Sequence, residues 1–137
     1  MGILNVTPDS FSDGGRFEEI VAAINHAHEM ISEGAAIVDI GGESTRPGAE
    51  AVTAEEEARR VMPVIEQLSG HDSNVMISID TSKASIARQA CERGAVIIND
   101  VTAFRGDPEM AKTAAETNAG VVLMHMQGQP RTMQQEP

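Results

Sequence analysis

The chain of 137 residues is long enough for one domain with a sizeable core, and its 41% hydrophobic and 23% charged residues exclude an extensively disordered protein. Its formal net charge of -11 argues against nucleic acid or an anionic membrane as a partner, since both are themselves negative. The single cysteine, Cys91, allows no internal disulfide, and together with the absence of a secretory leader it predicts a cytoplasmic protein.

One unit recurs along the chain, a short aliphatic strand followed by a loop and an amphipathic helix. The predicted strands are residues 2–6, 36–40, 76–80, 95–99 and 121–126. Helices are predicted after the first four strands, from apolar residues at helical spacing and from the capping candidates Thr53, Thr81, Ser82 and Asp107. Cys91 falls on the apolar face of the third helix, where we expect a small core residue.

The strand sequences indicate how the sheet is built. Runs such as I-V-D-I, V-I-I-N and V-V-L-M are nearly continuous in aliphatic residues, which is typical of parallel strands buried on both faces. Parallel strands are joined by right-handed crossovers, and the predicted helices supply them. The pattern therefore predicts an α/β fold. An open doubly wound sheet and part of a (β/α)8 barrel both fit it, and periodicity alone does not choose.

The third strand, M-I-S-I-D, ends in an acid and is followed at once by a helix start. Ser78 and Asp80 project to one side of this strand and the isoleucines to the other, because successive side chains alternate across the pleat. The carboxyl edge of a parallel sheet is where ligands bind, so Asp80 is predicted to be a ligand-binding residue. The alternative is that Asp80 only caps its own helix.

Other strand ends are polar as well. The polar tips are Asn5, Glu43, Asn99 with Asp100, and His125. Such a ring of donors and acceptors could hold a small flat heterocycle whose edge is rich in N–H and C=O groups. Capping of the helices that follow is again the alternative for each of these side chains.

Two long loops follow the first two strands, at residues 7–16 and 41–50. The first carries an exposed Phe11 between acids, and the second has the sequence G-G-E-S-T-R-P-G-A-E, with Arg46 as a fork for a carboxylate or phosphate and Pro47 to fix a turn. Cations placed beside strand ends could attract an anionic substrate locally, and they are Arg16, Arg46, Lys83, Arg105 and Arg131.

Five motifs together resemble dihydropteroate synthase, an enzyme family of folate biosynthesis. They are M-G-I-L-N-V-T-P-D-S-F-S-D-G-G at 1–15, G-G-E-S-T-R-P-G at 41–48, S-I-D-T-S-K at 78–83, I-I-N-D at 97–100 and L-M-H-M-Q-G at 123–128. The resemblance covers the whole chain. It implies a parallel (β/α)8 TIM barrel, of which residues 1–137 would supply about the first five strands and four helices as an incomplete pterin-binding domain.

The resemblance also implies an activity and its residues. The family joins 4-aminobenzoate to (7,8-dihydropterin-6-yl)methyl diphosphate, giving 7,8-dihydropteroate and diphosphate, and it is the target of sulfonamides. Small-molecule substrates, magnesium (Mg2+) as cofactor and a homodimer are implied. The implied pterin ligands are Asp80, Asn99 and Met124; the aminobenzoate ligands are Phe11, Thr45, Arg46 and Pro47; the catalytic residues are Asp13 and Arg46; and the metal contact is Asn5.

The chain departs from this family in length. A full barrel takes about 250 residues, and the later family segments D-P-G-F-G-F, S-R-K and R-x-H are absent from the sequence. We therefore expect an internal fragment of a longer enzyme that is inactive alone. The alternatives are a related pterin-binding methyltransferase domain, against which T-P-D-S-F-S-D-G-G and S-T-R-P-G argue, and a non-catalytic half-barrel that binds a pterin or a partner.

Overall fold

The computed structural model describes residues 1–6, 16–43, 52–71 and 75–123. Strands and helices alternate in it, in the order β1 (Gly2–Asn5), α1 (Arg16–Ser32), β2 (Ile37–Gly41), α2 (Ala54–His71), β3 (Met76–Asp80), α3 (Ala84–Arg93), β4 (Ile97–Asp100), α4 (Met110–Thr117) and β5 (Gly120–Leu123). All nine predicted elements are present, with ends shifted by a few residues. The last part of the predicted fifth strand, 124–126, lies outside the described residues.

The five strands form one parallel sheet in the order β1-β2-β3-β4-β5, so that each strand pairs with the next one in sequence. Each helix also packs against the next helix in sequence. A doubly wound sheet reverses its strand order at a switch point, and no reversal occurs among these strands. The sequential order is that of a (β/α)8 barrel, and it decides between the two architectures that the sequence left open.

The two faces of the sheet differ in chemistry. One face packs against the helices and is aliphatic, with Val38, Ile40, Ile77, Ile79 and Ile98 almost completely buried. The core continues from this face into the helices through residues such as Val61, Ile65, Leu68, Ile86 and Ala90. The strands are buried on both faces in the middle of the sheet, as predicted, but the second face is polar there and carries Asp39, Ser78 and Asn99.

The predicted start of α3 is wrong in its capping residues. The helix begins at Ala84, and the residue at its N-cap, Lys83, makes no side-chain capping bond. The Thr81 hydroxyl instead accepts the backbone N–H of Lys83 at 3.1 Å, which closes the turn between β3 and the helix. The backbone N–H of Ala84, at the first turn of α3, donates to Asp107 Oδ2 at 2.8 Å. Asp107 lies in the loop before α4. The helix is therefore capped from a distant segment.

Two smaller predictions are confirmed. The Thr53 hydroxyl accepts the backbone N–H of Glu56 at 3.1 Å, which caps the start of α2. Cys91 packs against the core, and burial raises the pKa of its thiol, as expected for a small core residue. Within the described ranges, none of the helices combines the length and the apolar character that crossing a membrane requires.

Candidate ligand site at the carboxyl ends of the strands

One register row at the carboxyl edge of the sheet brings together three residues predicted for the site. Asn5 is the Cα partner of Gly41, Gly41 is the partner of Asp80, and Asp80 is the partner of Asn99. Register partners in a parallel sheet project to the same face, so these side chains share one rim. A Cβ atom at Gly41 would lie 3.2 Å from the Asp80 Cβ, so glycine leaves the space beside that carboxylate open.

The carboxylate of Asp80 has no protein partner within the part of the chain that the structure describes. It forms no hydrogen bond or ion pair with any residue that the structure describes, and it does not cap α3. Burial raises the pKa of Asp80 to about 7, and repulsion from Asp39, Glu57 and other nearby carboxylates adds to the shift. A strand-end acid whose charged form is disfavoured by burial, and which has no partner among the described residues, is typical of a binding site.

The amide of Asn99 lies beside Asp80 and is only partly satisfied. Its Nδ2 donates to Asp39 Oδ2 at 2.9 Å, and its Oδ1 is buried with no hydrogen-bond partner among the described residues. Asp39 is 3% exposed and its Oδ1 accepts the Ser78 hydroxyl at 2.7 Å. Burial raises the pKa of Asp39, and the two hydrogen bonds partly offset that rise. Among the described residues, the Asp80–Asn99 pair thus combines a carboxylate without a partner and a buried amide oxygen without a partner.

A second polar cluster joins the ends of β2 and β3 to α2. Lys83 Nζ lies 2.8 Å from Glu57 Oε1 and 3.1 Å from Glu43 Oε1. Burial alone would lower the pKa of Lys83, but the hydrogen bonds and charges of the two glutamates raise it. Lys83 is therefore tied to the protein, which corrects the prediction that it attracts a substrate. Glu43 is likewise occupied, because its Oε2 accepts the backbone N–H of Val52 at 2.9 Å.

Asp100 neither faces the rim nor caps the helix that follows it, because α4 begins at Met110 with Glu109 as its N-cap residue. This carboxylate is fully buried and accepts the backbone N–H of Thr102 at 2.8 Å, the hydroxyl of the same residue at 2.7 Å and the N–H of Phe104 at 3.2 Å. Asp100 projects to the helix side of the sheet, one residue beyond Asn99. It shapes the loop after β4 and does not contribute to the rim.

The remaining predicted site residues lie outside the described part of the chain. They are Phe11, Asp13, Thr45, Arg46, Pro47 and Met124, together with the polar tip His125.

Sequence reasoning missed Asp39 and Glu57. Both left a signal: Asp39 interrupts an aliphatic strand, and Glu57 occupies the helix face that Val61, Ile65 and Leu68 bury. A buried acid must find a partner, since an unpaired one is costly. The sequence does not identify that partner, because Ser78 and Asn99 are 39 and 60 residues away from Asp39.

No group of three or more His, Cys, Asp or Glu side chains is arranged to hold a metal within 1–6, 16–43, 52–71 and 75–123. Asn5 is exposed at the rim and can offer one amide oxygen. Magnesium usually keeps several waters and takes only one or two ligands from the protein, so the single amide oxygen of Asn5 fits a partial magnesium site.

Comparison with known proteins identifies the family of the chain. The family described as pterin binding enzyme matches residues 1–137. The dihydropteroate synthase of Bacillus subtilis is 58% identical over 125 residues, which are 91% of this chain and 44% of that protein. The chain spans about half the length of the curated relatives it matches.

Two solved structures show the same fold. Dihydropteroate synthase from Clostridium difficile, determined in the presence of pteroic acid, has a TM-score of 0.87 at 50% identity over 93% of this chain and 48% of that one. The enzyme from Xanthomonas albilineans with 4-aminobenzoic acid has a TM-score of 0.86 at 52% identity, over 93% and 46%. The predicted fold class and the resemblance are thereby confirmed, and the chain belongs to the pterin-binding enzyme family.

Proposed function

We propose that the complete protein carrying this chain is a dihydropteroate synthase, which joins 4-aminobenzoate to (7,8-dihydropterin-6-yl)methyl diphosphate and releases diphosphate. The observation that carries the proposal is the register row of Asn5, Asp80 and Asn99, in which the carboxylate and the Asn99 carbonyl oxygen have no described partner. The names of the relatives agree with it. They do not favour the methyltransferase domain or the non-catalytic half-barrel.

In this proposal the rim binds the pterin. The carboxylate of Asp80 and the Oδ1 of Asn99 are acceptors on neighbouring strands, so they suit the edge of a heterocycle that presents adjacent N–H and amino donors. Met124 would pack on the ring. The aminobenzoate would be bound by the two long loops, through Phe11, Thr45, Arg46 and Pro47.

The chemistry does not demand a strong base. The nucleophile is the aromatic amine of 4-aminobenzoate, which attacks the pterin methylene while the C–O bond to diphosphate breaks and the amine loses a proton. Rate acceleration then rests on holding the two substrates in line and on stabilising the charge that develops as diphosphate leaves. Asp13 and Arg46 are the residues of this chain that we assign to that stabilisation.

Asn5 would hold magnesium together with the diphosphate, and magnesium would neutralise part of the leaving group's charge. The metal site would then be shared between the protein and the substrate. A homodimer and a cytoplasmic location complete the proposal.

The test is a product assay on the purified complete protein, with 4-aminobenzoate, the pterin diphosphate and magnesium. We expect 7,8-dihydropteroate and diphosphate in equal amounts, strong loss of product in Asp80→Ala, and no product from residues 1–137 alone. Tight pterin binding without product would favour the non-catalytic half-barrel. Methyl transfer from a methylated tetrahydrofolate in place of condensation would favour the methyltransferase domain.

A further inference from the structure

Asp39 is a buried acid that the proposed chemistry does not use. It lies on β2, on the polar face of the sheet, as the Cα partner of Ser78. None of the described lysines or arginines forms an ion pair with it. A buried carboxylate without a cation costs folding free energy even when it is hydrogen-bonded. The presence of an acid at this position therefore needs a reason beyond stability.

The reason lies in the orientation of the Asn99 amide. An amide has a donor end and an acceptor end, and rotation by about 180° exchanges them. Ionised Asp39 can only accept, and its Oδ2 takes the Nδ2 end of Asn99 at 2.9 Å. The acceptor end, Oδ1, is left buried and without a described partner. Asn99 is itself the register partner of Asp80.

We infer that Asp39 is a positioning residue, which fixes the Asn99 amide so that its oxygen, and not its nitrogen, is presented to the pterin beside the Asp80 carboxylate. This inference rests on the proposed function. Both strand ends then offer acceptors, and the site selects a ligand edge with donors at both positions. Without Asp39 the amide could turn and place a donor against a donor.

The test measures pterin diphosphate affinity by calorimetry on the complete protein. Asp39→Ala should lose affinity by about ten- to a hundredfold, because the amide is no longer held and the pairing at the rim is broken. Asp39→Val fills the volume and suits a strand, so it serves as a second apolar variant should the alanine variant not fold.

Conservative replacement separates hydrogen bonding from charge. In Asp39→Asn, the Ser78 hydroxyl can accept from the new NH2 group, so an oxygen remains available to Asn99. Affinity should stay within about threefold of the unaltered protein, since the acceptor and not its charge sets the amide. The matched control is Ser78→Ala, which removes the other bond to Asp39 and should also leave affinity within about threefold.

A double-mutant cycle with Asn99→Ala identifies the route of the effect. If Asp39 acts through the Asn99 amide, Asp39→Ala costs no further affinity once that amide is gone. Additive losses, or unchanged affinity in both apolar variants, would overturn the inference while the proposed function stands. Failure of the unaltered protein to bind the pterin would overturn both.

Discussion

The ends of β3 and β4 are neighbours in the sheet, and both carry an acid, but the two acids are treated in opposite ways. Asp100, at the end of β4, is fully buried and accepts three hydrogen bonds from the loop that follows it. Asp80, at the end of β3, is partly exposed and accepts none from the described residues. The first acid is satisfied by its own loop, and the second is not.

The difference follows from direction and distance. Asp100 projects toward the helix side, where the backbone of its loop turns back over it within four residues. Asp80 projects to the polar face, and the turn after it uses the Thr81 hydroxyl in place of the acid. Strand-end acids therefore divide into those that shape loops and those that remain open to a ligand. Both Asp80 and Asp100 are the last residue of their strand, and they differ in the face of the sheet to which the side chain projects.

The largest expected effect is on the stability contributed by Asp100. Asp100→Ala leaves the N–H groups of Thr102 and Phe104 without their acceptor, and we expect a loss on the order of 2 to 4 kcal/mol in the free energy of unfolding. Pterin affinity of the folded variant should change by less than about threefold. Denaturant unfolding and calorimetry of the complete protein measure the two quantities. A variant of full stability, or one that folds but does not bind, would contradict the division.

Asp80→Asn should show the reverse pattern. Exchange of one acceptor oxygen for a donor places a donor against a donor in a desolvated site, which costs about 1 to 3 kcal/mol or a ten- to hundredfold loss of pterin affinity. Stability should not fall, because the acid caps nothing in the described structure and its charge is repelled by its neighbours. If Asp80→Asn and Asp80→Ala instead melt early and still bind the pterin, Asp80 is a structural acid.

The pKa of Asp80 adds a dependence of binding on pH. Because the pKa of Asp80 in the free protein is about 7 and the protonated carboxyl places its own O–H donor at the rim, pterin affinity should fall as pH decreases from about 7 toward 5, and level off above about 8. The fall should approach tenfold per pH unit. Asp80→Asn, which cannot ionise, is the matched control and should give a flat profile. If pterin affinity falls with pH to the same extent in both proteins, the group that titrates is not Asp80.

The same shift predicts the pH dependence of stability. The folded state binds the Asp80 proton more tightly than the unfolded state, whose pKa is near 3.8, so the contribution of Asp80 to stability declines as pH rises from about 4 to about 7. The melting temperature of Asp80→Asn relative to the unaltered protein should therefore increase across that window and then stay constant. Thermal unfolding in buffers from pH 4 to pH 8 measures it.

The sequence predicted the rim and not the support beneath it. Strand parity and the aliphatic runs typical of buried parallel strands are local features of the sequence, and they were enough to place Asn5, Asp80 and Asn99 at one edge. The bond between Asp39 and Asn99 joins residues 60 apart in sequence and depends on which strands become neighbours. The caps show the same limit, since Thr81 and Ser82 are suitable N-cap residues by type but α3 is capped by Asp107. The partners of polar groups that are distant in sequence are therefore identified only once the fold is known.

The smallest effect concerns this last cap. Asp107 accepts the backbone N–H of Ala84 at 2.8 Å and that of Glu109 at 2.9 Å, and these bonds lower the pKa of its carboxyl. Asp107→Ala should cost about 1 kcal/mol of stability, the usual value of a helix cap, without changing pterin affinity. The control is Ser82→Ala, which should cost less than about 0.5 kcal/mol because its hydroxyl does not cap α3. A larger loss of stability in Ser82→Ala than in Asp107→Ala would show that Ser82 caps α3, as the sequence predicted. The folded state lowers the pKa of Asp107, so this carboxylate stabilises the protein only where it is ionised. The difference in stability between the unaltered protein and Asp107→Ala should therefore shrink as pH falls below about 4.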